Sequence, residues 1–350
     1  MIVYLAMLTF VCALALGSVF LPQRVHVVRS GIALVGYGAM CIFIGLRDQV
    51  GADWGSYKVI FTMISKMPFI ATLFIAEPLY GLCNRLVYLA GGDIHLVNLI
   101  CAIILLVCLF NFSRLVDLDS NLVLFIATPY ILFVIGMGYT RQSVALGLVL
   151  NAVGYLRHRK EGMFYFFVIL GTLFHYSAIV LILLWWLKNF KRIALVVGLL
   201  AMAAPLLFKF VSGGRYMLLY FGNNAVQSHG VWMRLLLVFL GFLVIVSQKV
   251  RWAKETQLRR VILRGAIALG VLAIVGFFLS TVADRICVYL SFIYLLGLGS
   301  VIRYAMRPFK FLSVYFVVCL TYGLFFVWFG LSTFAASDWF PYGMAFYSRT

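Results

Sequence analysis

Residues 94–112 read IHLVNLICAIILLVCLFNF, a run of 19 residues without Asp, Glu, Lys or Arg. A helix rises 1.5 Å per residue, so this length reaches across a hydrocarbon core about 30 Å thick. The stretch predicts a transmembrane helix, because lipid cannot satisfy the backbone polar groups of an open structure. Comparable runs predict further helices at 2–21, 30–46, 120–137, 141–156, 193–210, 231–248, 262–280, 286–302 and 309–332.

The composition of the whole chain also indicates a membrane protein. Of its 350 residues, 65% are hydrophobic, 17% are aromatic and 11% are charged, and the mean hydropathy is +1.09. Soluble domains are about 25% charged, and no soluble fold has enough interior to bury so much apolar surface. We therefore predict an all-α fold, a polytopic transmembrane helical bundle of about 11–12 segments that forms one integral membrane domain over residues 1–350.

The net charge of +18 is concentrated in short loops between the apolar runs. These loops contain Arg157, Arg159 and Lys160; Lys188, Lys191 and Arg192; Lys249, Arg251, Lys254, Arg259, Arg260 and Arg264; and Arg303, Arg307 and Lys310. Basic residues beside transmembrane helices mark the cytoplasmic side. We therefore expect a bacterial inner membrane protein with cytoplasmic basic loops, and no binding of nucleic acid.

The apolar run from Gly162 to Leu187 has basic clusters at both of its ends. A single crossing would put one of these clusters on the outer face, against the positive-inside bias. Two short helices, 163–175 and 177–188, broken near residues 174–177, keep both clusters in the cytoplasm. The pattern therefore favours a broken hairpin, and one uninterrupted span is the alternative.

With this topology, the less regular segments lie on the outer face. They include an extracytoplasmic loop at 47–92, in which residues 79–90 predict a re-entrant or amphipathic helix, and a second extracytoplasmic loop at 211–230. The unusual polar side chains also gather at this face. This one-sided distribution favours an enzyme over a transporter whose charges line a passage open to both sides.

The outer loop begins with RDQVGADWGSY at residues 47–57, which combines carboxylates, an arginine, aromatic rings and glycines. Carboxylates accept hydrogen bonds from sugar hydroxyls and can act as bases, and aromatic rings cover the apolar faces of sugars. Asp48 and Asp53 are therefore candidate bases, and Trp54 and Tyr57 are candidate sugar contacts. The alternative is an interfacial loop with an aromatic belt.

Arg141 and Gln142 begin an apolar helix at the outer face, and Arg215 and Arg285 are predicted on the same side. A guanidinium at mid-membrane costs about 2.5–3.5 kcal/mol, so such an arginine needs an anion or a wet cavity. The planar fork of a guanidinium matches phosphate oxygens. The three arginines therefore suit a pyrophosphate, and snorkelling to lipid headgroups is the alternative.

His175 and Glu77 are titratable residues on the same predicted face. His175 lies at the predicted helix break, where a wet cavity would give it a titratable role, and a hydrogen-bonded packing residue is the alternative. Glu77 precedes Pro78 at the start of a short helix, so helix capping is its first explanation. Farther along, residues 339–342 read Trp-Phe-Pro-Tyr, which form either an interfacial anchor or a wall of the outward-facing site.

Motifs of several other chemistries are missing from the sequence. It has no Gly-x-x-x-x-Gly-Lys loop, no Gly-x-Ser-x-Gly turn and no Cys/His metal spacing, and its seven cysteines are scattered through apolar segments. Asp117 and Asp119 have the spacing of a metal-holding pair in nucleotide-sugar transferases, but Asp119-Ser120 is better explained as a helix cap. We expect no metal, no cofactor, and neither ATP-driven nor nucleotide-sugar chemistry.

Several short motifs follow one another in a distinctive order between residues 40 and 345. They are Arg47-Asp48, Val50-Gly51-Ala52-Asp53 with Tyr57, Glu77-Pro78-Leu79-Tyr80, Arg141-Gln142 with Ala145, Tyr155-Leu156 with the basic run to Lys160, Phe174-His175-Tyr176-Ser177-Ala178, Arg285 with Tyr289, and Pro341-Tyr342. Each motif is weak alone, but their order and spacing resemble the EpsG family of Wzy-type polysaccharide polymerases.

This resemblance implies a membrane glycosyltransferase that makes O-antigen, capsule or exopolysaccharide. Such an enzyme moves a growing glycan from undecaprenyl pyrophosphate onto the next lipid-linked repeat unit at the periplasmic or outer face. The implied partners are the undecaprenyl-pyrophosphate-linked oligosaccharide, membrane lipids and a chain-length regulator. No metal is required for the reaction.

The resemblance and the residue types together suggest roles for individual side chains. The candidate catalytic residues are Asp53, Asp48 and His175. The candidate pyrophosphate ligands are Arg141, Arg285, Arg215 and Arg47. The candidate sugar contacts are Trp54, Tyr57, Glu77, Tyr80, Gln142, Tyr176, Tyr289, Trp339 and Tyr342.

Three other functions are compatible with the same pattern. An O-antigen ligase has the same fold class and carrier but transfers finished glycan to a lipid A core. A lipid-linked oligosaccharide flippase is a transporter and makes no glycosidic bond. A membrane acyltransferase depends mainly on His175.

Overall fold

The computed structural model describes residues 1–22, 25–186, 228, 230–248 and 256–345. Within these residues, six helical segments are long and apolar enough to cross a membrane: Ile2–Phe20, His26–Gly45, Ile94–Leu115, Thr256–Phe278, Ser280–Arg303 and Lys310–Leu331. Four shorter segments are also apolar: Ser120–Gly136, Glu161–Phe174, Tyr176–Trp186 and Val231–Ser247. The predicted all-α, polytopic helical bundle is confirmed.

The chain divides into two compact units, one of Met1–Tyr176 with Leu298–Thr350 and one of Ser177–Gly297. The first unit begins with α1 Ile2–Phe20, α2 His26–Gly45, α3 Trp54–Ser65, α4 Thr72–Ile75, α5 Pro78–Leu89, α6 Ile94–Leu115, α7 Ser120–Ala127, α8 Thr140–Arg157 and α9 Glu161–Phe174. The later helices are α10 Val180–Trp186, α11 Val231–Ser247, α12 Thr256–Phe278, α13 Ser280–Cys287, α14 Ser291–Arg303, α15 Lys310–Leu331 and α16 Thr333–Asp338. The single membrane domain and the loops at 47–92 and 211–230 stay predictions.

The start and the continuation of α7 follow from two residues. Asp119 accepts the backbone N–H of Leu122 at 2.9 Å, which confirms the predicted helix cap. The helix continues as a π-helix over Thr128–Gly136. Pro129 has no N–H to donate, so the regular α-helical hydrogen bonds cannot pass through it, and a π segment absorbs the mismatch.

Helix α8 packs against α6 and α9, and nearly all of its residues are buried. Gly147 permits the close approach to α6, because a Cβ there would lie 3.1 Å from the Cα of Leu105. Small residues allow helix backbones in a membrane to approach closely. The polar start of α8, at Thr140 and Arg141, is thus held within the bundle.

The segment that follows α16 is packed into the first unit. Strand β2, Gly343–Met344, pairs antiparallel with β1, Arg47–Asp48. The indole N–H of Trp339 donates to the carbonyl of Phe133 at 2.8 Å, and only 1% of Trp339 is exposed. The hydroxyl of Tyr342 donates to the carbonyl of Phe43 at 2.7 Å. Burial rules out the interfacial anchor considered for Trp339.

Gly51 closes the turn that follows β1. Its N–H donates to the carbonyl of Asp338 at 2.7 Å. Its φ of +106° is favourable only for glycine, and a Cβ would lie 2.2 Å from the carbonyl oxygen of Met137. The turn at Gly51 therefore lies directly against the backbone of Met137.

The apolar run at 162–187 is interrupted at His175, as the basic clusters predicted. Helix α9 ends at Phe174, and His175 has an extended backbone with φ −158° and ψ 116°. A 3-10 turn over Tyr176–Ile179 follows, and α10 begins at Val180. The interruption lets the side chain of His175 contact Glu77, which precedes another helix. The hairpin arrangement of the two halves stays a prediction.

The helices of the first unit have two polar ends. At one end, the hydroxyl of Ser18 near the end of α1 donates to Asp119 at the start of α7; we call this the Asp119 end. At the other end, Glu77 before α5 contacts Arg141 at the start of α8 and His175 after α9; we call this the Glu77 end.

Candidate functional site

Glu77 is the centre of the candidate site. It immediately precedes Pro78, which occupies the first turn of α5, and its side chain makes no capping hydrogen bond. The residue is only 4% exposed. The predicted capping role is therefore wrong, because long-range partners have taken both carboxylate oxygens.

Arg141 supplies the first of these partners. Its Nη1 donates to Oε2 of Glu77 at 2.6 Å. The guanidinium carbon also lies 5.6 Å from the ring centre of Tyr57 and 5.8 Å from that of Tyr80, within the range of cation–π attraction. The ion pair and the two rings together hold the cation at the Glu77 end.

His175 supplies the second partner of the carboxylate. Its Nδ1 lies 2.6 Å from Oε1 of Glu77, so each carboxylate oxygen contacts one basic group. The His175 side chain is 12% exposed. Among the residues that the structure describes, Nε2 of His175 is buried and has no hydrogen-bond partner. A buried ring nitrogen in this state requires an explanation, because buried polar atoms are almost always hydrogen-bonded.

The charge of Glu77 determines which nitrogen of His175 carries the proton. Burial by itself raises the pKa of Glu77, but the hydrogen bond from His175 and the positive charge of Arg141 outweigh it and lower the pKa to about 2. Glu77 is thus ionised at neutral pH and can only accept hydrogen bonds. Nδ1 must therefore donate, which leaves Nε2 to carry the lone pair in the neutral tautomer.

Two buried tyrosines border the Glu77 end. Tyr57 is 1% exposed and Tyr80 is fully buried, and their ring centres lie 5.7 Å apart. Burial raises the pKa of Tyr57, so its phenol remains neutral at physiological pH. Both rings were predicted to contact sugar, but they present little surface to a substrate. Their contacts with Arg141 favour a role in positioning its guanidinium.

Arg47 is buried, and its guanidinium donates to three protein groups. Its Nε donates to the carbonyl of Val50 at 3.1 Å, Nη1 to that of Ile44 at 2.7 Å, and Nη2 to Oγ1 of Thr140 at 2.8 Å. Burial lowers its pKa to about 10, so it stays cationic. This geometry favours a structural role, and the predicted contact of Arg47 with pyrophosphate stays a prediction.

A second polar cluster surrounds His95, a residue that the sequence analysis did not single out. Nε2 of His95 lies 3.0 Å from Oδ1 of Asp48, and Nδ1 lies 3.1 Å from Oδ2 of Asp93. The ring centre of Trp54 is 5.4 Å from that of His95. Both ring nitrogens can donate to these carboxylates only in the imidazolium form. Asp48 therefore has a basic partner, and its role as a general base stays a prediction.

Asp53 remains close to Tyr57, whose hydroxyl lies 3.5 Å from Oδ2 of Asp53. The residue precedes α3 without making a capping hydrogen bond. Asp53 thus lies in the same loop as Asp48, and its carboxylate is directed towards Tyr57.

The other predicted site residues have different surroundings. Gln142 is 5% exposed and Tyr176 is 55% exposed. Arg285 belongs to α13 of the second unit, and in that unit the hydroxyl of Tyr289 lies 3.0 Å from that of Ser177. Arg215 lies outside the described residues. Within the described ranges, no group of three or more His, Cys, Asp and Glu side chains could hold a metal ion.

The model of the EpsG family matches residues 32–344 of the chain. The chain belongs to the EpsG family. The EpsG family is associated with polysaccharide polymerases, and the matched region includes Glu77, Arg141, His175 and the cluster around His95. No curated protein and no solved structure matches the chain.

Proposed function

We propose that this EpsG-family protein moves a growing glycan from undecaprenyl pyrophosphate onto the next lipid-linked repeat unit. Membership in the EpsG family supports a polymerising glycosyltransferase. The six long apolar helices support a substrate that is itself held in the membrane. The observation that carries the mechanism is the hydrogen bond between Glu77 and His175.

The proposed reaction forms one glycosidic bond and breaks one bond to pyrophosphate. A hydroxyl oxygen of the acceptor repeat unit attacks the anomeric carbon of the donor glycan, and the bond from that carbon to the pyrophosphate oxygen breaks. The hydroxyl proton passes to Nε2 of His175, and undecaprenyl pyrophosphate leaves as an anion. The carboxylate of Glu77 stabilises the imidazolium that forms. A base held in this way contributes about 10²–10⁴-fold to a rate.

The leaving pyrophosphate requires positive charge. Arg141 is the proposed ligand at the Glu77 end, because a guanidinium fork matches phosphate oxygens. The contacts of Arg285 and Arg215 with pyrophosphate stay predictions. The Arg141 side chain is 23% exposed, and a guanidinium has five N–H donors. Since one donor of Arg141 contacts Glu77, the others can contact an anion. Arg141 would thereby couple the base to the leaving group.

Sugar contacts are proposed for the aromatic rings that are open to solvent. Tyr176 is 55% exposed and directly follows His175. Trp54 lies against the His95 ring and is half-buried. An aromatic face that remains open can cover the apolar face of a sugar ring.

We propose the periplasmic or outer side of a bacterial inner membrane for the reaction. Arg157 is the last residue of α8, at the Asp119 end, and Arg159 and Lys160 follow it. Basic residues beside helix ends favour the cytoplasm. The Glu77 end, at the other end of α8, would then face outward. This is also the side at which an undecaprenyl-linked acceptor would be extended.

Purified full-length protein supplied with a defined lipid-linked repeat unit tests this proposal. We expect a ladder of products that differ by one repeat unit, each still attached to the lipid carrier, when the products are sized on a gel. An O-antigen ligase would instead need an added lipid A core as acceptor. A flippase would move the substrate across liposomes without forming a bond. Intact substrate with no polymer would contradict the proposal.

A further inference from the structure

A half-enclosed cavity of about 840 Å³ lies at the Asp119 end of the first unit. It is lined by the end of α1, the start of α2, the end of α6, the start of α7 and the α14–α15 connection. This volume is in the range of sites that hold small ligands. The proposed glycosyl transfer makes no use of the cavity, because the reacting groups lie at the Glu77 end.

The cavity has an excess of positive charge. Two carboxylates line it, those of Asp117 and Asp119, against four permanent cations. The cations are Arg29, Arg114, Arg303 and Lys310. The net charge of these six groups is therefore +2, and the hydroxyl group of Ser30 adds a neutral donor.

One wall of the cavity is a closed hydrogen-bond network. The hydroxyl of Ser18 donates to Oδ2 of Asp119 at 2.6 Å, and Nε of Arg29 donates to the hydroxyl of Ser18 at 3.3 Å. Arg29 also forms an ion pair with Asp119. Because Asp119 also caps α7, this wall is held in place by its own contacts.

Two further lining cations, Arg114 and Lys310, are not neutralised in this way. Among the described residues, no carboxylate lies within ion-pair distance of Arg114 or Lys310. Arg114 lies 5.8 Å from the ring centre of Phe110. Lys310 donates to the carbonyl of Val19 at 3.0 Å, which leaves two of its three donors. Two cations held against protein groups thus retain donors for an anion.

The carboxylate that would compete with an anion for Arg303 is exposed to solvent. It donates to the carbonyl of Val116 at 2.8 Å and pairs with Asp117, whose side chain is 66% exposed. Exposed ion pairs contribute little to stability. A ligand can therefore share the guanidinium of Arg303 without breaking a buried interaction.

We propose that this cavity binds a phosphate-bearing anion, held by Arg114, Lys310 and Arg303. Guanidinium and ammonium groups are the side chains that bind phosphate oxygens. Two sources supply this chemistry: the headgroup of an anionic phospholipid, and a free phosphate compound in the cytoplasm. Helix ends at the membrane surface are within reach of both. The site is separate from the proposed pyrophosphate site.

Full-length protein in detergent tests the site with two probes, dioleoyl phosphatidylglycerol and inorganic phosphate. Native mass spectrometry compares retention of phosphatidylglycerol with that of phosphatidylcholine, and calorimetry measures phosphate binding. The cavity variant Arg114→Gln/Lys310→Gln should bind one of these anions at least about tenfold more weakly, a difference of about 1.4 kcal/mol. The matched variant Arg159→Gln/Lys160→Gln removes the same charges outside the cavity and should bind like the original protein.

The two probes distinguish the source of the phosphate group. Loss of phosphatidylglycerol binding alone identifies a lipid headgroup, and loss of phosphate binding alone identifies a soluble ligand. Equal binding by the two double variants in both arms would overturn the proposal. If the cavity variant fails to fold, the unaltered protein still tests the proposal. No preference for phosphatidylglycerol over phosphatidylcholine, together with no phosphate binding, would also overturn it.

Discussion

Nδ1 of His175 lies 2.6 Å from Oε1 of Glu77, and the two residues are 98 positions apart in the chain. Arg141 contacts the other carboxylate oxygen at the same distance. The carboxylate therefore orients the imidazole on one side and neutralises a guanidinium on the other. This arrangement leaves Nε2 as the basic atom of His175. The ionisation of Glu77 therefore determines both the position of the proton on His175 and the neutralisation of Arg141.

Glu77→Gln should lower the rate of polymer formation by about 10²–10⁴-fold, because an amide neither stabilises the imidazolium nor fixes its proton on Nδ1. It should also lower the free energy of unfolding by about 3–5 kcal/mol, since the charge of Arg141 loses its partner. Single-turnover assays and thermal unfolding of the purified protein measure the two effects. The exposed Glu161 offers a matched control: Glu161→Gln should behave like the original protein. Equal activities of the two variants would contradict the role of Glu77.

The stability of the protein should fall in acid because of the same carboxyl group. The pKa of Glu77 is about 2 in the folded protein, below its ordinary value of 4.5. Its contribution, about 3 kcal/mol, is therefore present above pH 4.5 and is lost as the pH falls towards 2. Thermal unfolding between pH 5 and pH 3 should show a steeper loss in the original protein than in Glu77→Gln. Parallel losses would mean that Glu77 is not held as an ion.

Arg141→Lys should retain part of the activity that Arg141→Ala loses. Lysine keeps the charge beside Glu77 but lacks the planar guanidinium that contacts the rings of Tyr57 and Tyr80. We expect a loss of about 100-fold or more for Arg141→Ala, and roughly tenfold for Arg141→Lys. Product ladders from membranes with equal amounts of each variant provide the measurement. Full-length ladders from Arg141→Ala would contradict the assignment.

Gly51→Ala should destabilise the protein although only a methyl group is added. The φ of Gly51 is +106°, and a Cβ would lie 2.2 Å from the carbonyl oxygen of Met137. We expect a loss of more than about 1 kcal/mol. Gly55→Ala is the matched control, because a Cβ there has nothing within 4 Å and alanine favours the helix. Equal melting temperatures for the two variants would refute the steric argument.

The helical bundle could be predicted from the sequence because the length and composition of each apolar run indicate a transmembrane helix without reference to the rest of the chain. The break at His175 could also be predicted, since the basic clusters on both sides of 162–187 constrain topology over a short distance. Asp119 illustrates the same point on a smaller scale. A helix cap needs only a residue three positions away, and Asp119 accepts the N–H of Leu122.

The partners of Glu77 could not be predicted, because they lie 64 and 98 positions away in the chain. The local pattern Glu-Pro before a short helix indicates capping, and only the tertiary structure brings Arg141 and His175 to the carboxylate. Trp339 shows the same limit, since its acceptor on Phe133 is 206 positions away. His95 had one local signal that was overlooked: Asp93-Ile94-His95 directly follows two glycines at the start of a predicted span.

The most direct test of the account is the single-turnover rate of glycosyl transfer by His175→Gln, with a defined lipid-linked donor and acceptor. We expect a rate at least about 100-fold below that of the original protein, with donor affinity within about threefold. His158→Gln, which alters an exposed histidine at the Asp119 end, should retain the original rate. A His175→Gln protein that folds and transfers the glycan within a few-fold of the original rate would contradict the central claim.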